Sequence, residues 1–254
     1  APLTLWADAD GDDSGMIWLK TGSAITTNGG HLWMGGGDGT ATWNGLTVGD
    51  GYAAGSDAFI PEDNSTNNQN GYHGITLDKD VTIQAGAGNI EFNGISGDQY
   101  APTLNSNPYS TNVGVYLGDG SQTTTTSGNI EINGVARLSA DQPASGCTTC
   151  GFRYGILFHR GGQTSTRQIL VNTQSGNIVL NGLTQDYTGS TTDRMNSGGV
   201  TLFAGTQGMV VSTDSGNIEI IGENQETTAP SGRTARGVWL TTGQTDVTSV
   251  SGSI

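Results

Sequence analysis

The sequence predicts an all-β fold, a three-sided parallel β-helix of about six coils of roughly 40 residues, with long loops at one corner. Three observations predict it: an apolar motif that recurs along the chain, a constant spacing between two strand segments of each repeat, and an unusual composition. Of 254 residues, 42 are glycine, and only 13% are charged. A chain rich in glycine and short polar residues, with alternating apolar positions, is typical of many short strands and turns.

The recurring motif is Gly-Asn-Ile followed by an alternating apolar residue. It begins at Gly88, Gly128, Gly176 and Gly216, at intervals of 40, 48 and 40 residues. Alternation at a period of two indicates a strand whose apolar side chains share one face. The predicted inward pairs are Leu3/Leu5, Leu32/Met34, Ile90/Phe92, Ile130/Ile132, Ile178/Leu180 and Ile218/Ile220.

Two further segments complete each repeat. One lies seven residues upstream of the motif, as in Ile83 before Ile90 and Val171 before Ile178. The other reads glycine, β-branched residue, any residue, large apolar residue, and starts at Gly74, Gly114, Gly155, Gly199 and Gly237. A constant offset indicates a corner that tolerates no insertion. Propeller blades have a similar period but four strands, and a β-sandwich would make the glycine pattern a coincidence.

Three strands joined by tight corners describe one coil, and successive coils would pair in parallel about 4.8 Å apart. The chain is therefore predicted to be a single domain, 1–254. Its approximate coil units are 1–35, 74–94, 114–134, 155–182, 199–222 and 237–254.

An asparagine precedes the third strand in four of the six repeats. These residues are Asn89, Asn129, Asn177 and Asn217. Asparagine tolerates left-handed turns and can bond to its image one coil away, so we predict an internal asparagine ladder. Neighbouring glycines would supply the positive φ of this corner.

The connections at the third corner vary in length, from 41 residues between Met34 and Ile75 to 18 between Ile220 and Val238. Because this corner recurs in every coil, the loops should stack along one edge as a candidate binding or assembly face. A solvated fringe that blocks lateral aggregation is the alternative. One loop holds the two cysteines, Cys147 and Cys150, for which a local disulfide formed in an oxidising compartment is predicted; free thiols or part of a zinc site are the alternatives.

Acidic residues form two further groups. Asp8, Asp10, Asp12 and Asp13 alternate near a glycine, a pattern that suits calcium or a plain acidic surface turn. Glu91, Glu131 and Glu219 share one outward column, interrupted by Trp33 and Val179. Stacked like charges are unfavourable, so the column should be solvated or bridged by a cation.

The net charge of −14 excludes a basic stripe for nucleic acid. The sequence contains no run of about 18 apolar residues, so no membrane span is predicted, and no signal peptide is visible. We therefore expect a mature product or a piece of a longer protein.

A carbohydrate-active β-helix, lyase or hydrolase, is the main alternative function. Acidic residues are plentiful enough for paired carboxylates, but the sequence singles out no pair. A groove of acidic and exposed aromatic residues along one strand face would favour this alternative. The tryptophans to inspect are Trp6, Trp18, Trp33, Trp43 and Trp239.

Three stretches, LTLWADAD, GMIWLKTGSAITTNGGHLWMGGG and the repeated SGNIEINGVA, resemble the repeat region of giant bacterial surface proteins of the filamentous-haemagglutinin-like adhesin class. The resemblance is one of repeat style and covers essentially the whole chain. It implies a secreted right-handed β-helix at the bacterial cell surface that serves as stalk, filament or adhesive surface. It also implies no catalytic residues, and an adhesive surface implies surface glycans or cells as partners. The uncapped ends of the coil stack predict end-to-end stacking with other copies or other segments of the same fibre.

Overall fold

The computed structural model describes residues 1–55, 72–97, 111–137, 152–159, 165–185, 196–203, 207–225, 235–241 and 244–254. Over these residues the chain forms strands only. They are β1 (Leu3–Trp6), β2 (Ser14–Gly15), β3 (Ile17–Leu19), β4 (Ala24–Thr26), β5 (Leu32–Trp43), β6 (Leu46–Gly51), β7 (Ala53–Gly55), β8 (Ile75–Leu77), β9 (Thr82–Gln84), β10 (Ile90–Ile95), β11 (Thr111–Gly118), β12 (Gln122–Thr125), β13 (Ile130–Ala136), β14 (Phe152–His159), β15 (Ile169–Thr173), β16 (Ile178–Thr184), β17 (Asn196–Phe203), β18 (Met209–Thr213), β19 (Ile218–Asn224), β20 (Ala235–Leu240) and β21 (Thr245–Ser249).

Three parallel sheets form the walls of the solenoid, as predicted. Sheet A has the order β1-β5-β10-β13-β16-β19, sheet B β3-β8-β11-β14-β17-β20, and sheet C β4-β9-β12-β15-β18-β21. The chain visits sheet B, then C, then A in each coil. Each sheet therefore contains six successive rungs, which confirms the three-sided parallel β-helix.

The predicted register is also confirmed. In sheet A, Ile130 pairs with Ile90 on one side and Ile178 on the other. In sheet B, Phe158 lies between Leu117 and Leu202. The inward side chains form one continuous core cluster from the first coil to the last, because residues at one position of every coil face the same axis.

Glycine columns let the walls approach one another. A Cβ on Gly134 would overlap the carbonyl oxygen of Gly155, and one on Gly182 would overlap that of Gly199. These pairs join the end of the third segment to the start of the first, where sheets A and B meet. Both glycines are thus required by close backbone contact.

Two antiparallel additions depart from the repeat. β5 leaves sheet A after Gly35 and pairs with β6 through a bulge between Gly36 and Thr40. β2 pairs with β7, which itself extends sheet A beside β10. The first of the long third-corner connections therefore contains a β-hairpin.

None of the described residues belongs to a helix that could cross a membrane.

Candidate functional site

The hairpin of β5 and β6 turns on Asn44 and Gly45. Both have positive φ, 45° and 78° respectively, which is the geometry of a two-residue type I′ turn. The alternating residues on either side pair Trp43 with Leu46 and Ala41 with Val48. Asn-Gly between such residues is the strongest short-range hairpin signal, so the hairpin is recognisable in the sequence, although it was not among the predicted elements.

A pocket of about 320 Å³ lies between this hairpin and the outer face of sheet A. Its side chains combine aromatic rings with carboxylate and amide groups. The lining residues that carry the argument are Trp33, Trp43, Asp50, Tyr52, Glu91 and Asn93. This volume is within the range of sites for small ligands. We call it the acidic aromatic pocket.

Trp33 forms the floor of the pocket. The side chain points outward from sheet A, as predicted, yet only 2% of it is exposed. Its indole N–H donates to Glu91 Oε1 at 3.3 Å, and its ring lies against Gly35, where any Cβ would clash with it. A tryptophan held by a hydrogen bond and by packing gives the pocket a rigid floor.

Glu91 is the most constrained carboxylate of the pocket. Asn93 Nδ2 donates to its Oε1 at 2.6 Å, and the residue is half-buried. Burial raises its pKa, and the charge of Glu131 raises it further, whereas hydrogen bonds from Asn93, Trp33 and Trp43 act in the opposite direction. The expectation of a solvated column is therefore wrong at Glu91, because the hairpin covers it.

Glu131 occupies the same column one coil further along. Unlike Glu91, it is exposed, and Asn133 Nδ2 donates to its Oε1 at 3.0 Å. The same amide group also donates to Asn93 Oδ1 at 2.9 Å. The two glutamates are thus linked through an amide bridge, and the structure singles out a carboxylate pair that the sequence did not.

Tyr52 lies at the rim of the pocket with 37% of its surface exposed. Its pKa is raised by burial and by the charges of Glu131 and Glu91, and it lines the same cavity as Glu91. Trp43 is half-buried and packs edge-on against His31, with ring centroids 5.7 Å apart. Two aromatic side chains therefore remain accessible beside the carboxylates.

The other inspected tryptophans lie elsewhere. Trp18 donates to Asp78 Oδ2 at 2.8 Å, Trp239 is covered by the Arg236 guanidinium 3.6 Å from its ring centroid, and Trp6 donates to the carbonyl of Gly37 at 2.8 Å. They are held by local partners. Trp33 and Trp43 are thus the only two of the five that line the acidic aromatic pocket.

Sheet B carries a second, more apolar pocket of about 330 Å³. It is lined by Thr111, Phe152, Tyr154, Leu157, His159, Thr201, Phe203 and Trp239. Burial lowers the pKa of His159 to about 4, so its imidazole is neutral at neutral pH. An apolar, uncharged lining distinguishes this pocket from the one on sheet A.

Three of the four predicted calcium ligands lie together. Carboxylate oxygens of Asp8, Asp10 and Asp12 are within 4.8 Å of one another. Asp13 does not belong to this group; it forms an ion pair with Arg137 at 2.8 Å. Calcium binding at the remaining three stays a prediction, and their oxygens are the ligand type that calcium requires.

Saturating calcium is expected to raise the melting temperature, since an ion that binds only the folded state stabilises it. Burial and the neighbouring Asp12 raise the pKa of Asp8, against one opposing hydrogen bond from Ser14. Calcium affinity should therefore fall as pH is lowered, and this fall should begin at a pH above the usual pKa range of aspartate. Calorimetric titration of Asp10→Asn should show no binding, while Asp214→Asn, exposed at a distant corner, should bind normally. Equal binding by both variants would place any calcium elsewhere.

The asparagine ladder exists, but it differs from the prediction in two respects: each side chain bonds to the backbone of the next asparagine, and the ladder lies outside the solenoid. The side-chain oxygen of Asn89 accepts the backbone N–H of Asn129 at 2.9 Å, and the same bond links Asn129 to Asn177 and Asn177 to Asn217, each at 2.8 Å. Three of the four asparagines are exposed and Asn89 is half-buried. The ladder is therefore external, because the side chains turn outward to cap the backbone of the next coil.

The adjacent glycine column also has another cause than predicted. Gly88, Gly128, Gly176 and Gly216 lack positive φ. A Cβ on any of them would overlap the carbonyl oxygen of the glycine one coil earlier. The corner requires glycine for space rather than for a left-handed conformation.

A threonine column inside this corner was not predicted. Thr173 Oγ1 donates to the carbonyl of Gly128 at 3.1 Å and accepts the N–H of Gly176 at 3.0 Å. Thr213 repeats both bonds with Gly176 and Gly216 at 3.0 Å. The pattern Ser/Thr-x-x-Gly in five of the six corners is the signal that could have revealed it.

Replacing Asn177 by alanine is expected to lower the free energy of unfolding by about 1 kcal/mol, since the N–H of Asn217 loses its acceptor. Asn181→Ala, exposed on the outer face of sheet A, is the matched control and should change stability by less than about 0.5 kcal/mol. Urea unfolding monitored by circular dichroism measures both. Equal effects would argue that the corner bonds add nothing to stability.

Cys147 and Cys150 lie outside the described residues, as do most of the other third-corner connections.

Comparison with models of known protein families found no match, and no curated protein or solved structure matches the chain either.

Proposed function

We propose that this chain is a non-enzymatic, extracellular β-helical segment of a bacterial surface adhesin or filament, which stacks end to end with other copies and binds a surface glycan in the acidic aromatic pocket. The observation that carries the proposal is the regular solenoid, in which each of three parallel walls repeats six rungs. The resemblance of the repeats to adhesin repeats supports the extracellular location.

The open end is apolar. Leu240 occupies the same inward column as Leu202, yet 54% of Leu240 is exposed and none of Leu202. Val238 and Ile254 are similarly exposed, at 39% and 71%. Inward side chains of a solenoid become buried only when another coil covers them.

The first coil offers a complementary end. Leu3, Leu5, Leu19 and Ile25 pack against the core and are only partly buried. Its strands β1, β3 and β4 belong to the same three sheets as β19, β20 and β21. A head-to-tail contact of this kind generates an open filament, because neither end is used up by closure.

Sedimentation velocity over a range of concentrations tests the stacking. Self-association is expected to increase with concentration and to be lost in Leu240→Lys, which would bury a charge at the junction. Ile221→Lys is the matched control, since Ile221 is also exposed, on the last strand of sheet A, but belongs to the outward column of Asn93, Asn133 and Asn181. A wild-type protein that stays monomeric at all concentrations contradicts stacking of copies.

The acidic aromatic pocket supports the adhesive part of the proposal. Sugar rings stack on accessible aromatic faces, here Trp43 and Tyr52, while their hydroxyls bond to carboxylate and amide groups such as those of Glu91 and Asn93. The pocket rests on strands of the scaffold, so it is presented on a rigid surface.

Glycan binding is tested on an array of neutral, acidic and amino sugars. Trp43→Ala is expected to abolish the signal of the bound class by removing a stacking face, while Trp18→Ala, on sheet B, should retain it. Binding that survives Trp43→Ala would place adhesion elsewhere on the molecule.

The second candidate function is retaining glycoside hydrolysis. Glu91 and Glu131 are register partners in adjacent parallel strands, whose backbones lie about 4.8 Å apart, so their side chains project side by side. Retaining enzymes use two carboxyl groups about 5 Å apart. Burial raises the pKa of Glu91, as a general acid requires. Release of reducing ends from a bound glycan, lost in Glu91→Gln, would establish catalysis; intact glycan after long incubation would leave a binding site.

A further inference from the structure

We propose that the acidic aromatic pocket selects glycans that carry a free amino group, whose ammonium lies between the two glutamates and the aromatic faces. This inference rests on the proposed glycan-binding function and specifies its ligand class. Its basis is the combination of uncompensated negative charge, accessible π faces and amide groups in one cavity.

The acidic aromatic pocket is rich in carboxylates. Glu91 and Asp50 line the cavity, and Glu131 adjoins Glu91 in the next coil. None of the described residues that line the cavity is lysine or arginine. A cationic ligand therefore meets no competing protein cation, whereas a sugar acid would be repelled.

Glu91 and Glu131 lie directly opposite one another in adjacent strands. Like charges in directly opposed strand positions are destabilising, and burial of Glu91 makes that repulsion stronger because water screens it less. An ammonium group placed between the two carboxylates would convert the repulsion into two charge-assisted hydrogen bonds. A neutral hydroxyl in the same place would not remove the repulsion between the carboxylates.

Aromatic faces of the pocket also favour a cationic ligand. Ammonium groups are attracted to the faces of tryptophan and tyrosine rings, and Trp43 and Tyr52 remain accessible at the pocket. Tyr52 and Trp43 line the same cavity as the Glu91 carboxylate. Rings and carboxylates therefore act on the same group of the ligand.

The remaining polar groups favour a sugar over a simple amine. Asn93 lines the cavity and is bridged to Asn133, and Thr42 contributes a hydroxyl. Such amide and hydroxyl groups match the ring hydroxyls of a sugar. A sugar bearing an amino group satisfies both halves of the pocket.

Calorimetric titration with three tetrasaccharides tests the inference: the glucosamine oligomer, its N-acetylated counterpart and a neutral glucose oligomer. The glucosamine oligomer is expected to bind at least about tenfold more tightly than the other two. Glu91→Gln and Glu131→Gln should each remove most of that preference. Glu219→Gln is the matched control, since Glu219 shares the outward column two coils beyond Glu131.

The outcomes separate this inference from the proposed function. Equal binding of all three oligomers that is lost in Trp43→Ala would overturn the amine preference and leave a glycan site. Binding of none of them, with no signal for any sugar on the array, would overturn both. If Glu91→Gln and Glu219→Gln weakened the preference for the glucosamine oligomer equally, the overall negative charge of the protein would explain that preference. This result would overturn the assignment of the preference to the pocket.

Discussion

Replacing Gly128 by alanine is expected to lower the free energy of unfolding by about 4 kcal/mol, among the largest effects of any single substitution in this chain. The added Cβ would overlap the carbonyl oxygen and carbon of Gly88 one coil earlier. Both neighbours are backbone, so no side-chain rotation relieves the overlap. The carbonyl of Gly128 itself accepts the hydroxyls of Thr125 and Thr173, at 2.6 and 3.1 Å. Displacement of the backbone at Gly128 would weaken these bonds too.

Gly45→Ala is the matched control for this prediction. Gly45 has φ of 78° but nothing within 4 Å of its added Cβ, so alanine there incurs only backbone strain of about 1 kcal/mol. Urea unfolding of both variants, monitored by circular dichroism, separates steric from conformational causes. A Gly128→Ala variant no less stable than Gly45→Ala would show that the coils can move apart at this corner.

The solenoid could be predicted because each inward position recurs with constant spacing. Ile83, Ile90 and their counterparts in other coils repeat an offset that only a corner of fixed length preserves. Side-chain direction at the corners was harder to predict. The pattern shows that Asn129 stacks on Asn89. Whether these side chains point into or out of the solenoid depends on the backbone rotation at the corner, which the sequence pattern does not reveal.

The pocket could not be predicted for a different reason. The outward positions of Trp33, Glu91 and Glu131 follow from alternation and are confirmed. Their burial depends on where the hairpin turning at Asn44 lies relative to sheet A, and that is a tertiary relation outside the repeat. A longer insertion at one corner was therefore visible in the sequence, whereas the face that it covers was not.

Replacing Phe158 by alanine is expected to lower the free energy of unfolding by about 4 kcal/mol. Its side chain is fully buried and stacks between Leu117 and Leu202 in the central coils. Loss of the ring leaves a cavity that the backbone of a parallel sheet cannot close.

Because each coil contacts only its neighbours, a central defect should also uncouple the two halves of the solenoid. Unfolding followed by circular dichroism is therefore expected to broaden for Phe158→Ala as well as to shift.

Two variants in the same column control for this effect. Phe158→Leu should lower stability by only about 1 kcal/mol, since leucine fills this position in both adjoining coils. Leu240→Ala removes a side chain from the last coil, where 54% of it is exposed, and should change stability by less than about 1 kcal/mol. If Leu240→Ala were as damaging as Phe158→Ala, the last coil would already be covered in solution, and the stability of that variant would depend on protein concentration through the end-to-end contact.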